Sequence, residues 1–573
     1  MFAGRARKLK PMSWRGRLFL AHVLTAVCVF GRLEAEPDEI VVRTESLEVR
    51  IHERGGVPVS WRIIDPAYLG PKETVVGDQG GVELIGAPVD GFPTGNLLDL
   101  LLPTDFEEEA LMRSAVYSVE RSDDAGGTRL RLLAPVSAKG VRLIRTYRFP
   151  ERGFTVGFSL TWENTGDGTV TVSRDENGFL LALGPGLGGR SRRDAGLAGA
   201  LYAYVAPLAA TGSVIDRPEL DLDRPRLDLG GEDGPLRWVG LHNRYFLMAL
   251  APSDESPSPS LRGAAWIEPD GISGDDFGPT SRVGIATGPV VLNPGETVIR
   301  EFTLFAGPKI RSELRTMGED LDQVLYLRLW NWLRWLSFGL LALMNGIHAL
   351  VPSWGLTIIL LAVVIRLILS PVAQKGIRAQ SRFNAANAKM RPHLKRINDE
   401  FAKDPARRHR ETMKVYKEHG VSMYSPFKGC LTLFLQIPIF IALFNVIGQA
   451  YELRGVGFLW IGDLAAPDRL FPLGVTLPVL GDSFNLLPVL MALTQVFSTK
   501  LAPPDGSDAR QQRTQKWSMW AMALGFFLLF YNFPAGLIIY WTCANLGHLV
   551  QQRLWKANPA LSETQGGPSG QTP

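Results

Sequence analysis

One arginine sits where arginines are costly. Arg366 lies inside an apolar run, Trp354–Val372, six residues before its C-terminal end. In a helix that is a depth of about 9 Å. An arginine at the middle of a membrane costs roughly 2.5–3.5 kcal/mol on insertion scales. Two readings stand side by side. The charge either serves a buried polar task, or a long side chain snorkels to the inner headgroups. Other apolar runs carry Gln436, Thr494, Gln495, Thr542 and Asn545. Together these polar groups could line one wet cavity between helices, or simply join helices by hydrogen bonds. Covalent chemistry has no comparable candidates. The chain lacks GxSxG, HExxH and the phosphate-binding GxxxxGK[ST]. Its three cysteines, Cys28, Cys430 and Cys543, each lie in an apolar run, and no CxxC pair exists. They read as small apolar residues, with no disulfide framework and no metal site.

The elements around Arg366 follow from hydropathy. The 573 residues are 46% apolar and 21% charged, with a net charge of +4. Those averages conceal a split between a soluble stretch, about 38–310, and long apolar runs over about 330–555. Five of the runs are candidate spans: Trp354–Val372, Gly429–Gly448, Phe484–Thr499, Trp517–Phe533 and Gly536–Gln552. Segment 373–424 carries thirteen basic and five acidic residues, which places it in the cytoplasm. Segment 449–483 is slightly acidic and belongs outside, while 500–516 is basic and inside. Arg553 and Lys556 return the C-terminus to the cytoplasm. Phe484–Thr499 makes only about 24 Å of helix against roughly 30 Å of hydrocarbon, so it should thin the bilayer locally. Ahead of these runs, Trp330, Trp332 and Trp335 open an apolar stretch that Pro352 and Gly355 interrupt. It is long enough for a span, but its aromatic enrichment suits an interfacial helix.

The N-terminus has six basic residues within 1–17 and no acid, followed by the 14-residue apolar run Leu18–Gly31. That length suits a signal-peptide core. Leu33-Glu34-Ala35 is a poor cleavage site, which favours an uncleaved anchor. Either way, residue 38 onward lies outside the cytoplasm.

The soluble stretch alternates. Val141, Leu143, Arg145, Tyr147 and Phe149 share one face of an extended segment. Beyond Pro150–Gly153, Val156, Phe158, Leu160 and Trp162 share another, which together predict a β-hairpin. Further β-rich runs lie at Thr128–Val136, Trp238–Leu250 and Val298–Phe305, and a large sandwich is expected. Asp123-Asp124 and Asp275-Asp276 lie close to glycines and read as turn residues.

In the basic segment, Met390, Leu394, Ile397 and Phe401 line one helical face. Asp404-Pro405 breaks the helix, and Met413 and Tyr416 mark a second one. An antiparallel cytoplasmic hairpin follows. Its charge suits anionic lipid, ribosomal RNA or acidic client segments, or is merely a solvated face.

These residues resemble the YidC/Oxa/Alb family of membrane protein insertases. The resemblance rests on Trp354–Val372 with its Arg366, on Gly429-Cys430-Leu431 with Gln436-Ile437-Pro438, and on Phe533-Pro534-Ala535-Gly536-Leu537 with Tyr540-Trp541, Asn545 and Gln551-Gln552. It covers about 330–556 well. The outer region is similar more loosely, through Trp238, Tyr245-Phe246 and Gly307-Pro308-Lys309. Such a resemblance implies a multi-domain membrane protein of the bacterial inner membrane. Residues 1–36 would be the signal anchor and first span, and 37–325 an all-β periplasmic supersandwich. An interfacial helix would occupy 326–352. Residues 353–556 would form an α-helical transmembrane bundle, a five-span core with a cytoplasmic helical hairpin at 374–424, and 557–573 a disordered tail. Function would be ATP-independent insertion and folding of inner-membrane proteins through a hydrophilic groove open to the cytoplasm, alone or with the Sec translocon. Arg366 would supply the groove charge, with Gln436, Thr494 and Asn545 as polar lining and Tyr540 and Trp541 as client contacts. Nascent inner-membrane proteins, the Sec translocon, membrane lipids and, through the basic hairpin, the ribosome would be partners. DNA would not, and no cofactor or metal is implied.

The chain departs from the pattern at Ser422–Lys428, where the family usually has Asn-Pro-Leu, and in its short, nearly uncharged tail, which argues against ribosome binding through that tail. Two other classes compete. One is a secondary transporter with an external binding domain, disfavoured by the lack of a visible inverted repeat. The other is a membrane-anchored carbohydrate-active protein, which needs a paired-carboxylate cleft in the sandwich.

Overall fold

The computed structural model of the chain describes residues 39–69, 80–85, 97–101, 113–172, 178–184, 187, 203–207, 214–216, 226–229, 237–253, 262–267, 281–286, 289–318, 321–327, 329–419, 431–501 and 509–556. The expected anchor at 1–36, Cys28, Cys430, Asp275-Asp276, the 422–428 departure and the tail lie outside them.

The outer region is β-rich. Among the described residues its largest sheet has nine strands. In spatial order they are Val214–Asp216, Ala203–Pro207, Val239–His242, Phe246–Pro252, Thr297–Pro308, Thr155–Asn164, Val141–Pro150, Gly127–Leu133 and Ser118–Asp124. All neighbours are antiparallel. A five-stranded sheet, Arg226–Leu229, Arg262–Ile267, Ser281–Ala286, Leu180–Leu183 and Asp99–Leu101, packs across one half of it. A four-stranded sheet begins at Glu39–Arg43.

Alternation predicted the hairpin at 141–164 correctly. Arg142 pairs with Glu163 and Arg148 with Gly157. Val141, Leu143, Tyr147, Phe149, Val156, Phe158, Leu160 and Trp162 are all at most 2% exposed. Arg145 shares that face and is buried with them. Its Nη1 donates to Leu98 O at 2.8 Å, and Asp99, Tyr117 and Tyr147 surround it. A buried guanidinium survives when such groups replace its water. Asp124 accepts from Gly126 N in the turn that joins Ser118–Asp124 to Gly127–Leu133, as its position beside a glycine suggested.

The run Trp238–Leu250, read as one β-rich stretch, folds back on itself. Asn243 is the reason: its Oδ1 accepts from both Tyr245 N and Phe246 N. That pattern offers the backbone a turn in place of a ladder.

After a single helical turn at Arg311–Leu314, seven longer helices follow among the described residues: α1 (Asn331–Leu350), α2 (Trp354–Glu400), α3 (Pro405–Glu418), α4 (Leu431–Gln449), α5 (Leu486–Leu501), α6 (Ala509–Phe530) and α7 (Ala535–Lys556). By length and composition α1 and the stretch Trp354–Val372 are apolar enough to cross a membrane, and shorter apolar helical segments lie at Gln436–Gln449, Leu486–Phe497 and Trp520–Phe530.

The helix bounds extend the sequence reading in two places and correct it in a third. Residues 374–400, expected as the first arm of a helical hairpin, are helical and continue without a break from Trp354 as one 47-residue helix through Pro371 and Pro392. Likewise α6 starts at Ala509, eight residues ahead of the candidate span that opens at Trp517. The physical cause is the same in both: hydropathy marks where a helix leaves apolar surroundings, not where its hydrogen bonding stops. The break itself falls where expected. Asp404 caps α3 by accepting from Arg407 N at 3.0 Å, with Pro405 at the first helical position. Third, Phe484 belongs to a strand, and α5 begins at Leu486. The segment read only as an outer connection holds a β-hairpin, Phe471–Leu477 with Gly481–Phe484.

Candidate functional site

Helix α7 is the hub of the helical part. It packs along α2 and α5 and touches α4. Residues seven apart share a helix face, so Tyr540 and Gly547 look the same way, toward Arg366 on α2. Gly547 passes close to the arginine: a Cβ there would stand 3.5 Å from Arg366 Cδ and 3.9 Å from its Nε. The guanidinium stem therefore lies along a gap that the missing side chain leaves. Tyr540 is 1% exposed, hydrogen-bonded to the Gln436 side chain of α4, and within electrostatic reach of Arg366. Three helices thus bring Arg366, Gln436 and Tyr540 together.

Trp541 is turned about 100° from Tyr540. It joins an aromatic cluster with Phe440 at 5.2 Å, Phe530 at 5.5 Å and Phe526 at 6.2 Å between ring centroids. Asn545, one turn further along that face, has a buried Nδ2 with no acceptor among the described residues, and Thr542 Oγ1 is likewise buried without a partner among them. A buried polar atom left so usually meets water or a ligand. Thr494 is half-buried on α5, and its hydroxyl donates to Met491 O at 2.8 Å within its own helix. The structure does not join it to Arg366.

The opposite end of the helices is closed by the segment 450–469. Phe458 and Ile461 exchange backbone hydrogen bonds across a tight turn. The Phe458 ring sits so close to Gly355 that no side chain fits there, and Gly536 is pressed between Ile358, Ile447 and Leu464 O. Ala535 N and Gly536 N donate to Ala466 O and Leu464 O, at 2.8 and 2.9 Å, so the start of α7 is sealed to this segment.

The β domain grips the same segment. Arg244, at the turn set by Asn243, donates to Gly448 O at the end of α4 and to Ala465 O. Carbonyls at a helix C-terminus lack intrahelical partners and carry partial negative charge, which a guanidinium satisfies. Arg454 lies over the rings of Phe246 and Tyr245, at 5.0 and 5.6 Å. Tyr451 Oη donates to Tyr68 O at 2.5 Å. Lys309 N donates to Tyr245 O at 2.7 Å, and Lys309 Nζ to Asn243 O. The two short motifs of the outer region, Tyr245-Phe246 and Gly307-Pro308-Lys309, thus meet at one junction. Sequence reasoning gave no site role to Arg244, Tyr451, Arg454 or Gly547, because none stands out from its neighbours by type or spacing.

Comparison with known proteins accords with this architecture. The family model described as YidC periplasmic domain matches residues 39–343, and that described as 60Kd inner membrane protein matches 346–560. Among curated relatives, proteins named membrane protein insertase YidC are similar. That of Chlorobaculum parvum is 30% identical over 323 residues, covering 56% of this chain and 51% of the relative. That of Nitrosomonas europaea is 29% identical over 470 residues, covering 79% and 65%. That of Cupriavidus necator is 25% identical over 548 residues, covering 94% and 86%. The chain thus spans about half to two thirds of the length of the first two of these relatives. With one family model over the helical part and the other over more than half of the sequence, the chain belongs to the YidC family of inner-membrane proteins.

Proposed function

We propose that the chain is an ATP-independent insertase that moves inner-membrane proteins into the bilayer. The observation that carries this reading is the convergence of Arg366, Gln436 and Tyr540 from three helices; elsewhere on α7, buried Thr542 and Asn545 atoms have no partner among the described residues. A bundle built only for anchorage would keep apolar groups there. In this reading α2, α4, α5, α6 and α7 are the five core spans, and α2 continues beyond the membrane to pair with α3 as a cytoplasmic hairpin. The groove between the spans opens to the cytoplasm and is stopped outside by segment 450–469. Arg366 draws acidic residues of a client's translocating tail. Thr542 and Asn545, with Gln436, replace part of its water, and Trp541 meets the client's apolar helix. The groove shortens the apolar distance that a polar tail must cross. Partition of the client's apolar segment into lipid supplies the drive, so no nucleotide is required. Helix α1 lies along the outer interface, a placement supported by Trp330 and Trp335, both 73% exposed. Clients, the Sec translocon, the ribosome and lipid are the partners this activity implies.

The test is depletion of the endogenous protein and complementation with Arg366→Ala and Arg366→Lys. The readout is insertion of a short client with an acidic external tail. Arg366→Lys keeps charge but loses the planar fork. We expect Ala to fail and Lys to retain most activity. Full activity of both variants would remove Arg366 from the mechanism.

A further inference from the structure

We propose that the outer β-hairpin, Phe471–Leu477 with Gly481–Phe484, is seated in the outer leaflet of the membrane at the boundary between headgroups and acyl chains. This inference rests on the multi-pass reading above. Residues 470–481 carry no charge. Leu470, Phe471, Val475, Leu477 and Val479 are 40%, 48%, 61%, 39% and 67% exposed. A strand with one core face hides alternate residues, but Phe471–Leu477 is exposed on both. Uncharged apolar groups in this number do not face water without a reason.

The hairpin's attachments give its level. Asn532, in the turn between α6 and α7, donates to Val479 O at 2.7 Å. Tyr531 Oη donates to Ser483 O, and Asn485 Nδ2 donates to Tyr531 O. Asp468 caps the start of α5 through Leu486 N and Leu487 N. The hairpin is therefore strapped to the start of α5 and to the turn between α6 and α7. Helix α6, which ends at the same turn, also carries exposed apolar side chains: Leu524 and Leu529 are 58% and 60% exposed.

Its backbone sets the depth. The ladder pairs Phe471 with Phe484, Pro472 with Ser483 and Leu477 with Gly481, and breaks between Pro472 and Leu477. A two-stranded ribbon with a broken ladder leaves backbone groups that hydrocarbon cannot satisfy. Its side chains exclude water and its backbone excludes the bilayer centre. The headgroup boundary meets both demands. Seated there, the hairpin holds the sealed end of the helices at a fixed height against the leaflet.

The experiment uses the full chain in vesicles of phosphatidylethanolamine and phosphatidylglycerol. Cys28, Cys430 and Cys543 are replaced by serine, and one cysteine is placed at Val475→Cys, Leu524→Cys or Ile299→Cys. Each is labelled with an environment-sensitive dye and challenged with lipids brominated near the headgroup or near the chain terminus. Ile299, 49% exposed on the β domain, reports water, and Leu524 reports the membrane reading itself. We expect Val475 to lose about half its emission to shallow bromines and little to deep ones, as an interfacial element should. Ile299 should lose none. If Val475 behaves as Ile299 does while Leu524 is quenched, the hairpin proposal is overturned and the membrane reading stands. If Leu524 is not quenched, that reading fails and takes the proposal with it. Loss of Val475 quenching as protein density in the membrane rises would name a second copy as the occupant, and loss on adding a client would name the client; either overturns the proposal.

Discussion

Gly547 shows how a residue with no functional group enters a site. A Cβ at this position would rest against Arg366 Cδ at an ordinary 3.5 Å, so Gly547→Ala should be tolerated. Gly547→Leu fills the gap along which the arginine lies. It should displace the guanidinium and lower insertion of an acidic-tailed client toward the level of Arg366→Ala, at an overpacking cost of about 1–3 kcal/mol. Insertion assayed beside the steady-state level of each variant separates the two effects. Equal activity of all three proteins at equal abundance would mean that the arginine's position is not set here. Arg366 itself was legible, because a charge in an apolar run breaks a pattern. Gln436 and Asn545 were legible for the same reason, though not which of them the fold would bring to the arginine. Tyr540 and Trp541 came only through family resemblance, since aromatic residues in an apolar helix are ordinary. Thr494 was named on the same polar criterion, but its hydroxyl is taken up within its own helix. Composition cannot tell a lining hydroxyl from one that bonds back to a carbonyl.

At the scale of elements, strand alternation carried more information than helix hydropathy did. Period 2 fixed which residues of 141–164 face the core, down to Arg145, because a strand exposes its register directly in the sequence. Hydropathy located the apolar part of α2 but not its end, because the helix runs on for 28 residues past Val372. The stop at Asp404-Pro405 was readable from cap chemistry alone, and it makes a quantitative expectation. Asp404→Ala removes the acceptor for Arg407 N and should destabilise the first turn of α3 by about 1 kcal/mol. Hydrogen exchange at the amides of 407–410 should then speed up about fivefold, while Asp404→Ser should stay near the parent rate. Unchanged exchange in the alanine variant would show that Pro405 and packing hold the turn without the cap.

Across the whole molecule, the β domain is joined to the sealed end of the helices by a compact set of contacts: Arg244 on Gly448 and Ala465, Arg454 over Tyr245 and Phe246, and Tyr451 on Tyr68. The motifs Tyr245-Phe246 and Gly307-Pro308-Lys309 marked one side of this junction through family resemblance, but no sequence pattern announces its arginines or Tyr451. Its residues are far apart in the chain, and each is unremarkable alone. It does have a pH signature. Burial, then the hydrogen bond to Glu313 and that residue's charge, push the Tyr68 phenol from 10.0 up to about 12. The fold thus holds this proton more tightly than the unfolded chain does. The stability it contributes is complete below pH 10 and is lost as pH rises through about 12. Because Tyr68 O is also the acceptor for Tyr451 Oη, ionisation of the phenol should loosen the junction and not only its own turn. The measurement is hydrogen exchange at residues 451–454 in the intact detergent-solubilised protein, corrected for the intrinsic rise in exchange rate with pH. In the parent chain, protection of these amides should fall between pH 10 and about 12. Tyr68→Phe cannot ionise and should lack that step, leaving only the loss due to other buried phenols such as Tyr147 and Tyr326, whose proton affinities burial also raises. Superimposable pH profiles for the two proteins would show that Tyr68 does not link the domain to the helices, and that the arginines carry the junction alone.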